Sequence, residues 1–129
     1  MKLLIRVSED SREPIYHQIE TQIKTLIVGG QLQPGTPLPS IRAMASDLQC
    51  SVITTRRAYQ NLEISGFIKT VQGKGTFVSE MGEVQKKETK EKVVAEAFQK
   101  AIEQAKQLGL TEEEIRSLFN QSLRNYDKE

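Results

Sequence analysis

Two helical patterns, each opened by a serine, stand so close together between Ser40 and Ser65 that they must cross steeply, and this constrains the chain more than any other feature. Ser40 supplies a cap for a first helix whose apolar positions, Ile41, Met44, Ala45 and Leu48, make one buried face. After a turn at Gln49-Cys50, Ser51 caps a second helix. Val52, Thr55, Ala58, Tyr59 and Leu62 recur along it at helical spacing until Gly66 stops it. Two short helices joined this tightly form a helix-turn-helix unit, with the second helix free to enter a DNA major groove.

Once the apolar stripe is subtracted, Ser51, Ile53, Thr54, Arg56, Arg57 and Gln60 remain as the outward face of that second helix. Hydroxyls at a helix start can bond phosphate beside the free N–H groups, and an arginine can bond guanine N7 and O6 together. Taken alone, Arg56 and Arg57 read equally well as a pair that solvates a helix face. The next residues favour DNA. Phe67 to Val71 and Thr76 to Val78 are β-prone runs joined by Gln72-Gly73-Lys74-Gly75, whose glycines supply the positive φ angles of a hairpin tip. Phe67 and Phe77 are expected to anchor this wing to the helices, holding Lys74 out where a cation reaches a phosphate or the adjacent minor groove.

The stretches PIYHQI, LQPGTPLPSIRAMASDL, TTRRAYQNLEISGFI and QGKGTFV, running without gaps from Pro14 to Val78, resemble the DNA-binding domain of GntR-type bacterial regulators. The resemblance covers about half of the chain and implies a winged helix-turn-helix. Carried over position by position, it implies DNA contacts at Arg42, at Ser51, Thr54, Thr55 and Arg56, and at Gln72 with Gly73. Arg57 is a further position where relatives often keep a basic residue. Many relatives have arginine where this chain has Val52, so their operator sequence does not transfer.

With 129 residues there is room for one compact domain and an appendage, and not for a large ligand-binding domain as well. The net charge of +1 is uninformative, but its distribution is not. Between Ser40 and Val78 the basic residues Arg42, Arg56, Arg57, Lys69 and Lys74 face only Asp47 and Glu63. The positive charge sits where DNA would lie. No apolar run is long enough to span a bilayer, and Met1-Lys2-Leu3-Leu4-Ile5 is followed at once by Arg6, so a cytoplasmic chain without a signal peptide is expected. The single Cys50 makes neither an internal disulfide nor a zinc site and reads as a small residue in the inter-helix turn.

Leu3 to Val7 suits a short strand added to the wing. Pro14 suits a first helical turn, after which Ile15, Tyr16, Ile19, Ile23, Leu26 and Ile27 make the apolar stripe of a scaffold helix ending at Gly29-Gly30. His17 lies beside that stripe and reads as an ordinary surface or partly buried histidine. Gln31 to Pro39 is a turn-rich strap.

Beyond Val78 the composition changes. Ser79 to Gly82 reads as a linker, and a charged helix follows from Glu83 to Leu108 with Val94, Phe98, Ala101, Ala105 and Leu108 on one stripe. Gly109 ends it. Thr111 to Glu114 is a capping box opening another helix with Ile115, Leu118, Phe119, Ser122 and Leu123 on its inner face. Such a hairpin buries too little alone, so Glu83 to Tyr126 is expected to pair with a second copy rather than fold back on its own DNA-binding part.

The expected architecture is therefore mainly α with a small β-hairpin wing. A winged helix-turn-helix DNA-binding domain over 1–79 is followed by a two-helix dimerisation tail over 80–129. A tail of only two helices resembles the short YtrA-like branch of the family, which implies a homodimeric repressor, commonly of ABC-transporter operons. The expected partners are double-stranded DNA and a second copy of the chain, with no membrane. No cofactor, metal site or catalytic constellation is apparent, so the chain is not expected to be an enzyme. A winged-helix protein-interaction module without sequence-specific DNA binding is the alternative, and no residue cluster identifies an effector.

Overall fold

The computed structural model describes residues 3–127; Met1 and Lys2, part of the stretch read against a signal peptide, lie outside them. In chain order the elements are α1 (Ile15–Val28), α2 (Ile41–Leu48), α3 (Val52–Ile64), β1 (Ile68–Val71), β2 (Gly75–Val78), α4 (Glu83–Gln107) and α5 (Glu112–Tyr126). The chain divides into two compact units, residues 1–86 and 87–129, with the division inside α4.

The first unit is built on α3, against which α1 and α2 both pack. The stripe of α1 delivers Ile19, Ile23 and Ile27 to the core. There they meet Met44 of α2, Ala58, Tyr59 and Leu62 of α3, and Ile68 and Val78 of the hairpin. Fully burying one such aliphatic side chain stabilises a fold by about 1.5–3 kcal/mol. Both serine caps form: Ser40 Oγ accepts Ala43 N–H at 3.1 Å and Ser51 Oγ accepts Thr54 N–H at 3.0 Å. The two helices also end alike. Gly66, at φ +85°, lets its own N–H reach Glu63 O and Phe67 N–H reach Leu62 O. At the end of α2 it is Gln49 that adopts the left-handed conformation, at φ 55°, while Cys50 N–H reaches Ala45 O. A non-glycine residue is held there at a cost of about 1 kcal/mol, and the return is a turn short enough to set α3 across α2.

The hairpin runs from Ile68↔Val78 to Val71↔Gly75 in antiparallel register. At its tip Lys74 N–H bonds Val71 O at 2.9 Å, with Gly73 at φ +79° in the left-handed region. Phe67 is buried and Phe77 half-buried at its base.

Three expectations need correction. Leu3 to Val7 does not add a strand to the wing. The strap does: Leu38 N–H bonds Thr76 O, Val78 N–H bonds Thr36 O, and Pro37 bridges Phe77. The N-terminal segment is instead held by two glutamine side chains one turn apart on α1. Gln22 exchanges both amide bonds with the backbone of Arg6, and Gln18 does so with Ser8. A primary amide carries the same donor and acceptor as a peptide group, so each glutamine satisfies one residue of an extended chain as a neighbouring strand would. Second, Pro14 precedes α1 at the cap position rather than lying within the first turn. Third, Ser79 to Gly82 is not a free linker: Met81 is buried in the core and Ser79 N–H bonds Phe67 O.

In the second unit α4 ends at Gly109, φ +85°, with Leu110 N–H on Ala105 O. The capping box of α5 is complete: Thr111 Oγ1 accepts Glu114 N–H and Glu114 Oε1 accepts Thr111 N–H. Hydrogen bonding from Thr111 to the ionised carboxyl of Glu114, first from the Thr111 backbone N–H and then from its side chain, holds the Glu114 pKa below the ordinary glutamate value. Glu112 is likewise lowered by its bond to Arg116 at 2.7 Å. Phe98 and Phe119 meet with ring centroids 5.5 Å apart. Among the described residues from 87 to 127 no side chain is buried.

Candidate nucleic-acid interface

The buried side of α3 is Thr55, Ala58, Tyr59 and Leu62, all in contact with the rest of the first unit. With 3.6 residues per turn, the opposite stripe is Ile53, Arg56, Arg57 and Gln60, and all four are exposed. What fixes this face is the packing behind it. Tyr59 donates its buried hydroxyl to Pro39 O at 2.7 Å, tying α3 to the strap. Burial raises the Tyr59 phenol pKa, so the group stays a neutral donor.

The expected contact residues do not share one environment. Arg42 on α2, Arg56 on α3 and Lys74 at the wing tip are exposed, and among the described residues their side chains have no hydrogen-bond or ion-pair partner. Gln72 and Gly73 are exposed beside Lys74. Ser51 and Thr54 form a small network at the head of α3: Ser51 Oγ donates to Thr54 Oγ1 at 2.8 Å while accepting Thr54 N–H. The hydroxyl hydrogen left over is that of Thr54.

Thr55 is the correction at this site. It is completely buried, with its hydroxyl on Ser51 O at 3.1 Å and beside Cys50 Sγ at 3.3 Å. It belongs to the inner stripe, where the spacing also placed it, and braces the head of α3 from behind. Cys50 is half-buried in the turn.

Arg57 is exposed but not unengaged. Its guanidinium carbon lies 3.9 Å from the centre of the Tyr16 ring, a cation–π contact that steers the side chain toward α1. Tyr16 was legible in the sequence only as one more member of an apolar stripe. In the sequence Glu63 reads only as a charge, yet its carboxylate accepts both the N–H and the hydroxyl of Thr70 and so fastens β1 to α3. It carries no local signal, because the partner is set by where the hairpin folds back. His17 bonds Glu13 through Nδ1 at 3.2 Å, on α1.

Among the described residues no group of three or more His, Cys, Asp or Glu is placed to hold a metal ion. No helix among them is long and apolar enough to cross a membrane.

Residues 15–78 match the family described as bacterial regulatory proteins, gntR family. The chain is 40% identical over 105 residues to the HTH-type transcriptional regulator YhcF of Bacillus subtilis, which covers 81% of this chain and 86% of that protein. It is 34% identical over 112 residues to the HTH-type transcriptional repressor YtrA of the same organism, covering 87% and 86%. A solved GntR family transcriptional regulator from Listeria monocytogenes superimposes with a TM-score of 0.70 at 30% identity, over 87% of this chain and 97% of that one. These relatives are transcriptional regulators, not enzymes.

Proposed function

The chain belongs to the gntR family of DNA-binding bacterial transcriptional regulators, and from that premise we propose that it is a homodimeric repressor of a palindromic operator. The two α3 helices enter successive major grooves, about 34–36 Å apart. Arg56 contacts base edges, Arg42 and the Thr54 hydroxyl contact phosphate, and Arg57 reaches the duplex from its seat on Tyr16. Lys74, with Gln72 and Gly73, lies over the flanking minor groove. The regulator acts in the cytoplasm, where occupancy of a promoter-proximal site blocks transcription. Among its targets we place an ABC-transporter operon, on the strength of the likeness to YtrA-type regulators.

The observation that carries this reading is the outward stripe of α3, where Arg56 has no side-chain partner among the described residues, on a helix whose other side is locked. Support for the dimer comes from the tail. There α4 and α5 frame an open, mostly apolar groove of about 1120 Å³ walled by Phe98, Ile102, Ile115, Leu118, Phe119 and Leu123. Val94, Ala101 and Leu108 extend the exposed face and Ala105 is half-buried within it. A second copy of the same hairpin covers such a surface symmetrically.

Selection of bound sequences from a random duplex pool tests this directly. A two-fold symmetric consensus with half-sites one helical turn apart is expected. If no sequence is enriched and binding is insensitive to salt, the arginine face serves a protein partner instead.

A further inference from the structure

The outward stripe of α3 holds one residue that suits neither water nor phosphate. Ile53 is 76% exposed in the first turn, beside the capping pair Ser51 and Thr54 and the exposed Arg56. A single exposed aliphatic side chain is unremarkable on most surfaces. Its position is what gives it meaning, because the N-terminal residues of a recognition helix are those that reach base edges. Ile64, the other exposed isoleucine of α3, sits at the far end, about 16 Å further along the axis.

Among the groups that line a major groove, the apolar one is the 5-methyl of thymine; guanine, adenine and cytosine present hydrogen-bond donors and acceptors there. The polar groups around Ile53 are already committed in part. Ser51 Oγ both donates to and accepts from Thr54, so the head of the helix has limited capacity for polar readout. We propose that Ile53 reads the 5-methyl group of a thymine in each half-site, and that this chain requires a thymine there for that reason. The proposal rests on the duplex-binding reading above and deepens it. In it, Arg56 reads by hydrogen bonds and Ile53 by excluding water from a methyl group, so the two residues discriminate independently.

The test uses the full-length chain and the duplex enriched from the random pool. Each thymine of that duplex is replaced in turn by deoxyuridine, which keeps every hydrogen-bonding group and removes only the methyl. One position per half-site is expected to weaken binding by about four-fold, as the loss of one buried methyl group predicts. Ile53→Ala should weaken binding to the thymine duplex and be indifferent to deoxyuridine at that position, whereas Ile53→Val should keep part of the sensitivity. Because Ile53 is on the surface, thermal stability should not change. The proposal is overturned if no thymine position responds, or if Ile53→Ala responds to deoxyuridine as fully as the unaltered chain. Either outcome leaves duplex binding itself intact. Failure of the pool to yield any bound duplex would instead remove the underlying reading and this one with it.

Discussion

The two units solve the burial problem in opposite ways. In the first, Ile19, Ile23 and Leu62 have no exposed surface, and Ile68 and Val78 retain 2% and 1%. In the second, Phe98 and Phe119 remain 52% and 42% exposed even though their rings touch each other. Both units have well-formed ends, with serine caps in one and a complete capping box in the other. Local helix signals therefore do not distinguish them. What differs is how many elements surround each apolar stripe. Two helices, a strap and a hairpin enclose α3, whereas within the second unit α4 and α5 leave a groove open along their length. A unit of the first kind closes its core from within and leaves a bare polar face on α3. A unit of the second kind leaves its apolar stripe open to solvent.

Breaking that contrast should have the largest effect in the tail. Phe119→Asp places a charge on the apolar groove and is expected to convert the chain to a monomer in sedimentation velocity, while far-UV circular dichroism of the first unit is retained. A variant that stays dimeric would show that the groove is not the seam between copies. Next in size is Ile23→Ala, which opens a void in a closed core and should lower unfolding free energy by about 2–5 kcal/mol in urea titration. Its effect should be independent of protein concentration, unlike any substitution along the tail groove.

The polar face of α3 should respond more gently. Arg56→Ala is expected to weaken the selected duplex by about 1–3 kcal/mol in a fluorescence anisotropy titration and random duplex by less. An equal loss on both would assign Arg56 to the phosphate backbone. Tyr16→Leu, which keeps the apolar body but removes the ring face under Arg57, should cost about 0.5–1 kcal/mol of binding. That loss should vanish when Arg57 is already alanine, which separates a positioning effect from a packing one.

Much of this architecture was written in local pattern. The serine caps, the helical spacing of Ile41 to Leu48 and of Val52 to Leu62, the glycine tip of the wing and the capping box at Thr111 all depend on neighbours within a few residues, and each appears where expected. The departures share one cause. Leu3 to Val7 is β-prone, but glutamine amides on α1 hold the backbone of Arg6 and of the adjacent Ser8, and the edge of β2 is taken by the strap. Thr55 has a hydroxyl suited to DNA, yet its phase on α3 turns it inward. Ser79 to Gly82 looked like a spacer because only one of its four residues is apolar, and that one, Met81, enters the core.

The sequence by itself determined where helices and the hairpin begin and end, which stripe of each is apolar, and that an arginine-bearing face follows a tight turn. Those are short-range properties of backbone preference and side-chain spacing. Only the tertiary structure decided which polar groups on that face stay available and which are engaged, as with Arg56 without a side-chain partner among the described residues, Arg57 over Tyr16 and Glu63 on Thr70. The reason is geometric: each of those partners is set by how separate elements cross, and no spacing along the chain encodes a distance in space.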